Sequence, residues 1–212
     1  MGRIKNGANG AFSGKVGSVI GSSWRDIDYM KGHSKRSSKK PSESQSEIRR
    51  NFGLLSEFLG LLRPVIDQGF KNQNTGKATT LNLAIQANYG VFEDLEADCL
   101  PDYSRIILSK GKVVGKPAGC KLLALEEGVM RITWEMYGFS AIERGVDQAI
   151  LVLYCPALKE SIVIADQYVR QDQTADVGLP ERWYGKVICV YMFMTSMEDN
   201  NSDSVFIGYF TN

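Results

Sequence analysis

Histidine occurs once in the chain, at His33. A His-rich metal centre is therefore excluded, and a Ser-His-Asp triad would have to use that single ring. Its neighbours Lys31, Lys35 and Arg36 repel a cation, so His33 reads as a solvated linker residue. The four cysteines, Cys99, Cys120, Cys155 and Cys189, stand in apolar contexts with no pair two to four residues apart. That spacing predicts buried free thiols in a reducing compartment. No apolar run approaches the ~18 residues of a membrane span. Glycines and serines interrupt Val16 to Ile20, so no secretory core is visible. The expected location is cytoplasmic or assembly-associated, as in a virion. A phosphate-binding loop is missing as well: across positions 9–16 the pattern needs Gly first and Ser or Thr last, and the chain has Asn9 and Val16. The acidic pairs Glu126-Glu127 and Asp94 with Glu96 read as solvated turn residues, and nothing in their spacing makes them converge on a cleft. These absences point to a protein that is not an enzyme, with no cofactor and no metal.

The N-terminus is where the chain is unusual. The first forty residues hold seven glycines, spaced among Phe12, Val16, Val19, Ile20, Trp24, Ile27 and Tyr29. Nine Lys or Arg against Asp26 and Asp28 give this stretch +7, so the remainder carries −6 in a chain of net +1. Glycine loses the most chain entropy on ordering and has no side chain to bury, so such a segment cannot build a core of its own. We expect an ordered arm held by the chain's own body or by a partner. Phe12 to Ile20 and Trp24 to Met30 read as strands with Gly21-Ser22-Ser23 between them, a hairpin-like arm over 1–33. The alternation Asp26-Ile27-Asp28-Tyr29 gives it one apolar face. Residues 34–41 form a basic, serine-rich linker.

Pro41-Ser42 followed by Gln45 is a capping box that starts a helix. Ile48, Phe52, Leu55, Leu59, Leu62 and Ile66 then recur at steps of four and three, a stripe widened by Leu54, Phe58, Leu61 and Val65. Pro64 kinks this helix or begins a second one, and Gly69 stops it. Leu81, Ile85 and Phe92 place a shorter helix within 78–92, completing a helical hairpin over 42–98. From 104 to 212 the texture is β. Strand-like runs fall at Arg105–Ser109, Cys120–Leu125, Val129–Glu135, Gln148–Tyr154, Ser161–Ala165, Thr174–Leu179, Lys186–Met194 and Ser204–Phe210. So many short strands predict an antiparallel sandwich. The fold class expected is α+β.

Within that region Ile132-Thr133-Trp134, Gln148 to Tyr154, Leu179 to Gly185 with Lys186 to Phe193, and Ser202 to Gly208 resemble successive strands of fibronectin type III domains. The resemblance implies an immunoglobulin-like β-sandwich, and carries no function. End to end, Gly2-Arg-Ile-Lys-Asn-Gly7, Phe12 to Gly21 with Trp24, Gln45 with Arg49 and Phe52, Leu179-Pro180, Trp183, Gly185 and Ile207-Gly208 resemble a domain-of-unknown-function family common in Bacteroidota. The pattern Gly14-Lys-Val-Gly17, Trp24-Arg25 and Gln45-x-x-x-Arg49-x-x-Phe52 is similar to small virion or tail-associated proteins of phages and prophages. Asp26-Ile-Asp-Tyr29 departs from it, where those proteins carry a Lys-Gly-x-Pro-Tyr-like string.

Three functions compete. The first is a structural, self-associating protein that docks on itself or on other structural proteins through Phe12, Val16, Val19, Ile20, Trp24, Ile27 and Tyr29, such as a virion, tail or filament component. The second is a nucleic-acid accessory protein using Lys31, Lys35, Arg36, Lys39 and Lys40, with Trp24 and Tyr29 for stacking. The third is surface or carbohydrate recognition by the sandwich loops.

Overall fold

The computed structural model describes residues 3–4, 10–24, 27–33, 40–73, 78–91, 101–112, 114–126, 128–136 and 145–211. Arg25, Asp26, Phe92, Asp94, Glu96, Cys99 and Glu127 lie outside the described residues, as does the linker 34–39. The chain divides into two compact units, residues 1–42 and 43–212, and mixes three antiparallel sheets with few helices.

The first unit is a four-stranded antiparallel meander: β1 (Arg3–Ile4), β2 (Phe12–Val16), β3 (Val19–Trp24) and β4 (Ile27–Gly32), in that order. A two-stranded hairpin with a turn at Gly21-Ser22-Ser23 is therefore not what forms. Those three residues lie inside β3, paired with Met30, Tyr29 and Asp28. The turn falls at Gly17-Ser18, where Gly17 takes φ +58°, a left-handed conformation costly for other residues. Gly21 serves a different need. A Cβ there would sit 2.1 Å from the Phe12 carbonyl oxygen and 2.6 Å from its ring.

The second unit starts with α1 (Glu43–Leu61), directly after Ser42, where the capping pattern puts the helix start. Helix α2 (Arg63–Gly69) follows with Pro64 in its first turn, so the proline opens a new helix, and the helix ends at Gly69. Helix α3 (Thr80–Asn88) is capped by Thr79, whose hydroxyl accepts from the Asn82 N–H at 3.1 Å.

The remaining strands are β5 (Ala118–Glu126), β6 (Val129–Glu135), β7 (Gln148–Cys155), β8 (Glu160–Ile164), β9 (Thr174–Gly178), β10 (Val187–Thr195) and β11 (Val205–Thr211). They form a β11-β10-β7-β8 sheet and a β5-β6-β9 sheet. Two hydrophobic cores result. Met130, Ile132, Trp134, Leu151, Val190 and Trp183 belong to one, between the sheets. In the other, Leu55, Leu59, Leu62 and Ile66 meet Val152, Tyr154, Tyr191 and Phe193. Successive residues of β7 and β10 thus enter opposite cores, which is why both strands are buried almost throughout.

Arg105–Ser109 is not a strand. Residues 103–105 make a short 3-10 turn, and the backbone beyond takes side-chain as well as isolated backbone partners. Asn88, fully buried, accepts from the Ile107 N–H at 2.7 Å and donates to the Ile107 carbonyl at 2.8 Å, taking the place of a neighbouring strand. The Leu108 N–H goes to Ser204 Oγ at 2.9 Å. Asn88→Ala leaves the part-buried Ile107 N–H and carbonyl without these partners. Its expected cost is about 1–3 kcal/mol, read as a lower denaturant midpoint at constant m.

Trp183, fully buried, donates its Nε1–H to Glu160 Oε2 at 2.9 Å, and Arg182 Nε donates to the same oxygen at 2.7 Å. The indole and then the guanidinium hold the Glu160 carboxyl below its ordinary value. Its contribution is complete above the unfolded glutamate pKa of about 4.3 and is lost as pH falls through the folded value. Glu160→Gln is therefore expected to flatten the acid limb of stability against pH. An unchanged limb in a pH series of thermal melts would contradict this.

Candidate assembly interface

In an antiparallel sheet directly opposed residues share a face, so the register sorts the arm residues. Val16 opposes Val19, and Phe12 lies two and four residues from Gly14 and Val16, placing these three on one face with Met30. Ile20 opposes Lys31 and Trp24 opposes Ile27, and Tyr29 lies two residues from both Ile27 and Lys31. The seven expected contact residues therefore divide: Phe12, Val16 and Val19 on one face, Ile20, Trp24, Ile27 and Tyr29 on the other. Adjacent Val19 and Ile20 could not have shared a face in any strand.

On the first face Phe12 lies over Gly21, and the second carries the more exposed aromatics. Among the described residues of this unit only Gly21 is buried. Trp24 is 52% exposed, Ile27 66% and Tyr29 42%, and Met30 is more exposed still. The second face also carries Lys15, opposite Ile20. Lys31 Nζ lies 6.0 Å from the Tyr29 ring centroid, within reach of a cation–π attraction. Of the five expected polyanion contacts, Lys31 is on this face and Lys40 is exposed. Lys35, Arg36 and Lys39 lie outside the described residues. The edges differ: β1 has two residues, whereas β4 has six, all exposed.

The helical stripe is only partly used. Leu55, Leu59, Leu62 and Ile66 are buried, but Ile48 and Phe52, at the N-terminal end of the same stripe, are about half exposed. Leu54 and Leu61 are exposed on its flank. Sequence periodicity gave these positions one face, and nothing in it marks where along α1 the core stops.

The shifted titratable groups among the described residues owe their shifts to burial or to neighbouring partners. Burial pushes the Cys189 thiol up to about 12 and the Cys120 thiol up to about 11, which leaves both protonated at neutral pH. Cys155 and Cys189 are fully buried free thiols. Arg131 binds Asp176 in a fork, both contacts at 2.6 Å, and its hydrogen bonds lower the Asp176 pKa. Asp67 is lowered by Thr80 first and then Arg63, and Asp199 by Lys71. Among the described residues no cluster of His, Cys, Asp or Glu could hold a metal, and no helix is long and apolar enough to cross a membrane.

Solved structures include one described as "Myokine structure", 11% identical, with a TM-score of 0.37, covering 46% of this chain and 96% of that one. No curated protein matches the chain. A family model matches residues 11–208, from the start of β2 into β11 and so across both units. The chain belongs to the family of unknown function DUF6266.

Proposed function

We propose that the protein is a non-enzymatic assembly component whose N-terminal sheet docks on another copy of the chain. The observation that carries this is the open sheet with Trp24, Ile27 and Tyr29 exposed together on one face. Covering each of these side chains is worth about 1.5–3 kcal/mol, and a small sheet without a core gains most from such cover. The half-exposed Ile48 and Phe52 of α1 offer a second contact surface. The G-x-x-G, Trp-Arg and Gln-x-x-x-Arg-x-x-Phe pattern favours a virion, tail or filament setting for this assembly.

The C-terminal strands would serve as an immunoglobulin-like support. What favours this is the strand order, β5-β6-β9 facing β11-β10-β7-β8 across a shared core, although the helices cover the outer face of the second sheet.

Trp24→Ser with Tyr29→Ser is the direct test. Both side chains are exposed, so folding should be retained while the assembled species is lost in light scattering. Retained assembly would reject the face as the contact. A second reading is favoured by Lys15 and Lys31 beside Trp24 and Tyr29: a single-stranded polyanion stacked on the same face. A shift assay titrated with salt separates the two, because phosphate binding weakens steeply as salt rises.

A further inference from the structure

We infer that two copies of the chain join edge to edge through β4, making one continuous sheet; this rests on the assembly reading above. The hydrogen-bond phase of β4 follows from its inner neighbour. His33 donates its N–H to the Ser18 carbonyl at 3.2 Å, one step beyond the Val19–Gly32 pair. Hydrogen-bonded and non-hydrogen-bonded pairs alternate along an antiparallel ladder. Lys31, Tyr29 and Ile27 therefore turn their backbone groups inward to β3, and Asp28, Met30 and Gly32 turn theirs outward.

Of the usual protections, that outer edge carries only two charges, Asp28 and Lys31. It holds no proline, is six residues long, and Ile27, Tyr29 and Met30 are all exposed along it. A two-fold axis perpendicular to the sheet lets the strand pair with itself. Outward residues must oppose outward residues, so the axis can pass at Met30, with Asp28 opposite Gly32. This register sets Lys31 of each copy opposite Tyr29 of the other, in the closer, non-hydrogen-bonded pairs. Two cation–ring contacts then cross the seam on the face that also carries Trp24 and Ile27. The alternative axis at Tyr29 would oppose Lys31 to Ile27 and Asp28 to Met30, with no such complement. The strand itself is neutral, with Asp28 and Lys31, but each arm is basic, so screening by salt strengthens the pairing.

The full chain tests this in three forms. Oxidised Met30→Cys should give a disulfide-linked dimer on a non-reducing gel, because Cα atoms of a hydrogen-bonded pair lie about 5.5 Å apart, within disulfide reach. Wild type oxidised in parallel controls for its own cysteines. Tyr29→Cys should give no such dimer, and a dimer from it in place of Met30→Cys overturns the register. Met30→Pro removes an outward N–H that the sheet does not use and should halve the assembled mass. If wild type assembles while Met30→Cys stays unlinked and Met30→Pro assembles normally, edge pairing is wrong and the face-docking reading survives. A wild type that is monomeric at every concentration rejects both.

Discussion

Replacing Arg170 by Met is expected to destabilise the C-terminal unit by about 3–5 kcal/mol, among the largest effects of any single change. Arg170 and Asp147 are almost completely buried, with Nη2 3.2 Å from Asp147 Oδ2. The same nitrogen donates to the Gly115 carbonyl at 2.7 Å. Backbone ties complete the node: the Arg170 N–H goes to the Asp147 carbonyl at 2.8 Å, and Trp134 Nε1–H to the Arg170 carbonyl at 2.8 Å. Removing the guanidinium leaves a buried carboxylate uncompensated, and that penalty outweighs the attraction lost. The double variant Arg170→Met with Asp147→Leu should therefore be more stable than Arg170→Met alone. Urea midpoints give both values. A single-variant loss under about 1 kcal/mol would show that water reaches Asp147.

Deleting residues 1–42 is expected to abolish assembly while the remainder stays folded. The second unit contains both hydrophobic cores and every buried side chain in them, from Leu55 to Phe210. Among the described residues, none of the first unit belongs to either core. The truncated chain should keep the helix and strand signal of the second unit in far-ultraviolet circular dichroism and the urea midpoint of that unit, and its scattering mass should be that of one copy. Lost folding would show that the sheet supports the body. Retained assembly would move the contact to the body, with Ile48 and Phe52 the first residues to change.

Much of this architecture was legible residue by residue. Ser42 and Gln45 mark the start of α1, Pro64 and Gly69 bound α2, and Val129–Glu135 is a strand in both sequence and structure. The uninterrupted apolar runs of β7 and β10 carried a further message. A strand with one solvent face alternates, and these do not, so the helices had to cover the second face. Arg105–Ser109 has strand composition but is paired by Asn88 and Ser204, and no local pattern announces a side chain distant in sequence. The arm's turn was misplaced because Gly17-Ser18 and Gly21-Ser22 look alike locally. Only the Phe12 ring over Gly21 distinguishes them, and that contact exists once the sheet has formed. The candidate contact residues were named from composition, which finds apolar side chains in a glycine-rich arm. Sorting them onto two faces required the register.

The mass of the full chain in solution tests most directly whether the N-terminal sheet is an assembly surface. Light scattering over a wide concentration range should give a mass rising above the 23.5 kDa of one chain to a multiple of it, and higher still as salt is added. A mass fixed at one chain throughout, at low and high salt alike, would contradict it.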